Sequence, residues 1–103
     1  MNASGLDLIG LGVRAGTAIV GTNGVRAALQ RGELALVVVA GDVSPRTDAK
    51  VVRLASGLGV PLAFGPASDR LGRAVGRDRV QTVGIKDRRL AEAIRSRLER
   101  VGR

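Results

Sequence analysis

Apolar positions along the chain follow two alternating rhythms. Leu6, Ile9 and Val13 recur at helical spacing behind a Ser4–Asp7 pair that has the form of a capping box, so a helix is expected up to about Gly16. Thr17 to Val20 is a short β-prone piece closed by Gly21. Val25, Ala28 and Leu29 then share one face of a helix expected from about Gly24 to Arg31, with Gly32 as its stop. Leu34 to Ala40 is apolar without alternation, the mark of a strand covered on both faces.

The second half repeats the scheme. Ser44 followed by Pro45 offers an N-cap and a favourable first helical residue, opening a helix through Val51, Val52, Leu54, Ala55 and Leu58 that stops between Gly57 and Pro61. Val60 to Phe64 reads as a strand, and Ser68 as the cap of a helix carrying Leu71, Ala74 and Val75 and ending at Gly76. Val80 to Ile85 is the last strand expected. Asp87 then caps a C-terminal helix whose stripe is Leu90, Ile94, Leu98 and Val101, with Arg88, Arg89, Arg95, Arg97 and Arg100 around the rest. The order α-β-α-β-α-β-α-β-α with short connections predicts an α/β fold, a three-layer α/β/α sandwich around a mixed sheet of about four strands. No linker, repeat or low-complexity tract divides residues 1–103, so one domain is expected.

Composition narrows what such a domain can do. Phe64 is the sole aromatic, so the core has to be aliphatic and base recognition by stacking platforms is disfavoured. The net charge of +8 is unevenly distributed. Residues 1–69 carry six basic and five acidic side chains, whereas residues 70–103 carry eleven and four. That asymmetry suits a polyanionic partner bound with strong salt dependence, although a solvated arginine-rich helix would give the same count. The apolar residues near the N-terminus lack a preceding basic region and include Asp7, and no run is long enough to span a membrane. A soluble cytoplasmic protein without membrane partners is the expectation.

Catalytic constellations are scarce. His and Cys are absent, which excludes a Ser-His-Asp triad, a Cys-His pair, disulfides and imidazole or thiolate metal sites. Asp7, Asp42, Asp48 and Asp69 are scattered among caps and loop starts, where carboxylates commonly serve structure. No catalytic residue, cofactor or metal is therefore expected. One motif competes: Gly10, Gly12 and Ala15 match G-x-G-x-x-[GA], which after a strand can cradle a dinucleotide pyrophosphate. The helix it should open would have to cross the Gly16–Gly24 region, and tight helix packing accounts for the same glycines.

The turn Gly21-Thr22-Asn23-Gly24 is more promising. A helix N-terminus presents unpaired N–H groups and a positive dipole end, suited to phosphate or a base-edge acceptor. Asn23 adds an amide able to donate and accept at once; a plain N-cap is the structural alternative.

The stretch GTNGVRAALQRGELALVVVAGDVSP resembles the kink-turn RNA-binding family of large-subunit ribosomal proteins, which has small bacterial ribosome-associated relatives. The resemblance implies that this turn meets the bases of a kinked RNA stem at tandem sheared G·A pairs. An Asn followed by an acidic or amide residue, with a Lys one helical turn on, does so in the family. Asn23 matches, Gly24 stands in the second position and Ala27 in the third, with Arg26 the nearest cation. LGRAVGRDRVQTVGI is similar to the family's helix, loop and strand that close over an extruded nucleotide. Arg77, Arg79, Val80 and Gln81 occupy that loop, which on its own could also be an ordinary solvated connection. VRAG and LVVVAGDVSP extend the likeness over roughly residues 6 to 95, with Gly41 where an acidic residue is often found.

The implied activity is non-catalytic binding of structured RNA, ribosomal or otherwise noncoding, with the ribosome itself as a candidate partner. Asn23 and the backbone of Gly21, Thr22 and Gly24 would meet bases, Arg26, Arg77 and Arg79 phosphates, and Val80 with Gln81 a flipped-out nucleotide. A phosphate-backbone binder without kink selectivity, and a small nucleotide-binding enzyme, are the alternatives.

Overall fold

A computed structural model describes residues 4–101. Helix α1 (Gly5–Arg14) is opened by the expected box: Asp7 N–H donates to Ser4 Oγ and Ser4 N–H to Asp7 Oδ2. Strand β1 (Ala18–Val20), α2 (Thr22–Gln30) and β2 (Leu36–Val39) follow. Helix α3, residues 45–57, is α-helical at Pro45–Thr47 and Arg53–Gly57 with a π turn at Asp48–Val52 between them. Ser44 Oγ accepts the Thr47 N–H, so the cap expected at Ser44-Pro45 is formed. Then come β3 (Leu62–Phe64), α4 (Ser68–Ala74), β4 (Thr82–Ile85) and α5 (Arg88–Val101). Leu90 N–H donates to Asp87 Oδ1 at 3.0 Å, the expected start of α5.

The sheet is mixed and four-stranded, in the order β1-β4-β2-β3. β4 runs antiparallel to both neighbours, pairing Ala18 with Ile85 and Val38 with Val83, while β2 and β3 are parallel with Val39 beside Phe64. The unbroken apolar run at β2 has its reason here, since period-2 alternation delivers Leu36 and Val38 to one core and Val37 and Val39 to the other. On the first face Ile9, Leu71, Ala91, Ile94 and Leu98 of α1, α4 and α5 close over the sheet; on the second, Val25, Ala28, Leu29, Val51 and Ala55 of α2 and α3 do. The expected α5 stripe is met at Ile94 and Leu98, with Leu90 packed beside them. The side chains of Arg100 and Val101 lie outside the described residues.

Three sequence expectations shift. The strand expected from Leu34 is shorter, because Leu34 turns into the second core across Gly84, where an added Cβ would lie 2.6 Å from Leu34 Cδ1. Ser68 does not cap α4: Ala67 holds the cap position, and Ser68 is the first helical residue. Gly10, Gly12 and the residues around them lie inside or at the end of α1, not at a strand-to-helix turn, so the dinucleotide-binding reading falls. Close packing is what these glycines serve, since a Cβ on Gly10 would sit 2.7 Å from Ala74 O and one on Gly12 2.8 Å from Leu90 Cδ2.

Candidate nucleic-acid interface

One end of the sheet collects the exits of β1, β2 and β3 and the entry of β4, and hydrogen bonds tie these segments together. Gly21 N–H donates to Thr82 O at 3.0 Å and Ala40 N–H to Gln81 O at 2.8 Å. Gly41 N–H donates to Pro66 O at 2.9 Å and Val80 N–H to Ser68 O at 3.0 Å. Two side chains complete the network. Gln81 Oε1 accepts the Ser44 N–H at 2.7 Å, joining the start of β4 to the start of α3. Asp42 accepts the Ser68 N–H on Oδ1 at 2.7 Å and the Ser68 hydroxyl on Oδ2 at 3.0 Å. The cap of α4 is therefore a carboxylate from a distant loop, placed where a helix N-terminus favours negative charge. Those Ser68 hydrogen bonds, backbone first and hydroxyl second, hold the Asp42 carboxyl below its ordinary range, and the nearby charge of Arg79 acts in the same direction.

At this end the N-terminus of α2 stands open. Its N-cap is Gly21 at φ 99°, a left-handed conformation that glycine adopts without the Cβ clash other residues meet. No side chain caps the helix and no acidic residue lies in its first turn. The N–H groups of Thr22, Asn23 and Gly24 thus lack intrahelical acceptors, and the dipole end is uncompensated. Asn23 is not an N-cap: it is the second residue inside the helix and exposed, and its amide has no partner among the described residues. Arg26, also exposed, stands three residues on, within reach of the same helix face. Gly24 is needed for a close approach, since its Cβ would be 2.9 Å from Ile19 Cγ2 on β1.

The loop between α4 and β4 supplies the rest. Arg77, Asp78 and Arg79 are exposed. Arg79 is near enough to Asp42 to influence its ionisation, so it faces the network. Arg77 is anchored to α4 through its N–H, which donates to Gly72 O at 2.8 Å. Val80 departs from expectation: at 6% exposure it packs among Leu71, Val83 and Ile94 in the core, so its side chain offers little surface to a base. Gln81 is half-buried with its carbonyl oxygen committed to Ser44, which leaves Nε2 as a solvent-reachable donor without an acceptor among the described residues. Sequence reasoning misses Asp42 and Ser68 as the pair that closes this edge. Only the capping propensity of both residue types hints at it. Among the described residues no group of three or more His, Cys, Asp or Glu could hold a metal ion, and no helix is long and apolar enough to cross a membrane.

Comparisons with known proteins bear on the fold and the family. No curated protein matches the chain by sequence alone. Among solved structures, a Bacillus halodurans C protein described as of unknown function is 26% identical, with a TM-score of 0.86 over 95% of this chain and 99% of that one. A Giardia lamblia 15.5 kD RNA-binding protein shares the fold at 23% identity, with a TM-score of 0.75 over 94% of this chain and 83% of its own. The model of the ribosomal protein L7Ae/L30e/S12e/Gadd45 family matches residues 4–94, and the chain belongs to that family.

Proposed function

We propose that this protein is a non-catalytic binder of structured RNA, in a ribosomal or ribosome-associated cytoplasmic role, and that it selects a kinked stem. The observation that carries the reading is the uncapped N-terminus of α2, bearing an unpartnered Asn23, at the sheet end that also holds the Arg79 loop. Membership of a ribosomal protein family supports RNA as the partner class. Asn23 and the N–H groups of Thr22 and Gly24 meet base edges and backbone where the stem bends. Arg26, Arg77 and Arg79 neutralise phosphates on either side. Gln81 contributes its Nε2 donor, while its oxygen already accepts one hydrogen bond from Ser44. Selectivity depends on Asn23 more heavily than where a carboxylate and a lysine stand beside it, since Gly24 and Ala27 bring no polar side chain.

The test compares a kink-turn RNA with a matched straight duplex at two salt concentrations. Tighter binding to the kinked RNA is expected, with Asn23→Ala removing most of the preference. Arg77→Gln with Arg79→Gln should weaken both RNAs and lower the salt slope by about 2. Equal affinity and equal slope for both RNAs would reject kink selectivity and leave a phosphate-backbone binder.

A further inference from the structure

Helices α1 and α4 cross with almost no gap at Gly10, where a Cβ would meet the backbone oxygen of Ala74. Beside this crossing lies an open groove of about 580 Å³ walled by Arg14, Arg70 and Arg73, with Asp7 its one acidic lining residue. The Arg14 guanidinium lies back over the crossing, its Nη1 3.3 Å from where that Cβ would be. Arg73 makes only a loose pair with Asp69 at 3.7 Å, with both side chains more than half exposed, an interaction worth little in water. The guanidinium groups of Arg14 and Arg70 have no hydrogen-bond or ion-pair partner among the described residues.

Two of these arginines have a helical explanation. Arg14 and Arg73 lie in the last turns of α1 and α4, where cations complement the dipole. Arg70 has none, because it sits in the first turn of α4, at the positive end. A partner bearing negative charge accounts for all three. The groove shares helix α4 with the candidate interface. Ser68, which opens α4, is gripped by Asp42, and the Arg77–Arg79 loop folds back on α4 at Gly72, where a Cβ would be 2.8 Å from Asp78 O.

The geometry points to the α1–α4 groove as a seat for the phosphate backbone of the RNA stem that leaves the kink beside the α4–β4 loop, an inference that rests on the RNA-binding reading above. α4 is roughly 10 Å long at the rise of an α-helix, enough to follow about three nucleotides of one strand. The occupant is taken to be RNA rather than an acidic protein because the groove's guanidinium groups complement closely spaced phosphates and α4, which carries two of them, also anchors the arginine loop of the proposed RNA interface.

Anisotropy titrations with a minimal kink-turn RNA, and with versions in which each stem in turn is extended by about six base pairs, test this. Three engaged arginines give a slope steeper by about 2.7 for one extended RNA, so a four-fold rise in salt should weaken that complex roughly forty-fold more than the minimal one. Arg14→Gln/Arg70→Gln/Arg73→Gln should abolish the difference and leave minimal-RNA affinity within about two-fold. Arg70→Gln alone, at an exposed site, should remove about a third of the added slope even if the triple variant folds poorly. If neither extension steepens the slope, or if the groove variants weaken minimal and extended RNAs alike, the groove proposal falls. Kink selectivity lost with Asn23→Ala would in that case still support the parent reading. Failure to bind any RNA would end both.

Discussion

Gly72→Ala tests whether packing of the arginine loop onto α4 governs both stability and binding. Helix propensity alone makes alanine the better residue inside α4, by about 1 kcal/mol. The structure opposes it, because the new Cβ would lie 2.8 Å from Asp78 C and O and 2.9 Å from Arg77 O. These are backbone atoms, so no side-chain rotation relieves the clash and the loop must retreat by roughly 0.6 Å to reach ordinary contact. Overpacking of this kind costs about 1–3 kcal/mol, which leaves a net loss of about 1 kcal/mol. That corresponds to a melting temperature lower by about 4–8 °C for a domain of this size.

Thermal and urea unfolding of wild type, Gly72→Ala and a control, Gly57→Ala, make the comparison. Gly57 ends the helical part of α3, and a Cβ added there would meet nothing within 4 Å, so the control should gain a few tenths of a kcal/mol. Kinked-RNA affinity should fall for Gly72→Ala, because Arg77 and Arg79 move with the loop, and stay unchanged for Gly57→Ala. Stabilisation of both variants, with RNA affinity intact, would refute the packing argument.

Asp42→Asn should lower stability near neutral pH by removing the charge that caps α4. The folded pKa of Asp42 lies below the ordinary value of 3.8, so its contribution is present above that value and lost as pH falls through the lower folded one. The gap between wild type and variant in urea midpoints should therefore close under acid conditions, and a gap independent of pH would contradict the assignment. Thr82→Val should raise stability by about 1 kcal/mol, since Thr82 Oγ1 is buried without a hydrogen-bond partner among the described residues and valine keeps its shape; a lower urea midpoint would show that the hydroxyl is satisfied. Gln81→Leu should cost about 1 kcal/mol by leaving the Ser44 N–H unpaired, and should weaken RNA binding further at fixed stability, measured by titration well below the melting point.

Much of this architecture is legible along the chain because its determinants are local. The Ser4–Asp7 box and the Ser44-Pro45 opening are contacts within three residues, and both form as their spacing predicts. The apolar run at β2 needs only the absence of alternation to reveal a strand buried on both faces. Ser68 misleads for the opposite reason: the group that caps α4 comes from Asp42, twenty-six residues away, and no local pattern encodes that distance. Gln81 is legible as an amide in the α4–β4 loop, but the engagement of its oxygen comes from Ser44, thirty-seven residues away. Val80 is apolar in either setting, and only the closure of α4 and α5 over β4 turns it inward.

By itself the sequence determined which segments are helix and strand, that their core is aliphatic, and that charge accumulates toward the C-terminus, since propensity, periodicity and composition act over short range. It determined Asn23 as the amide of the turn as well. Tertiary structure decided that this amide stands uncapped at an open helix end, that Gly10 and Gly12 serve helix crossing, and that Asp42, Ser44, Ser68 and Gln81 lock one end of the sheet. The physical reason is that those outcomes depend on atoms far apart in the chain, which meet only once burial of both faces of the sheet has fixed its strand order.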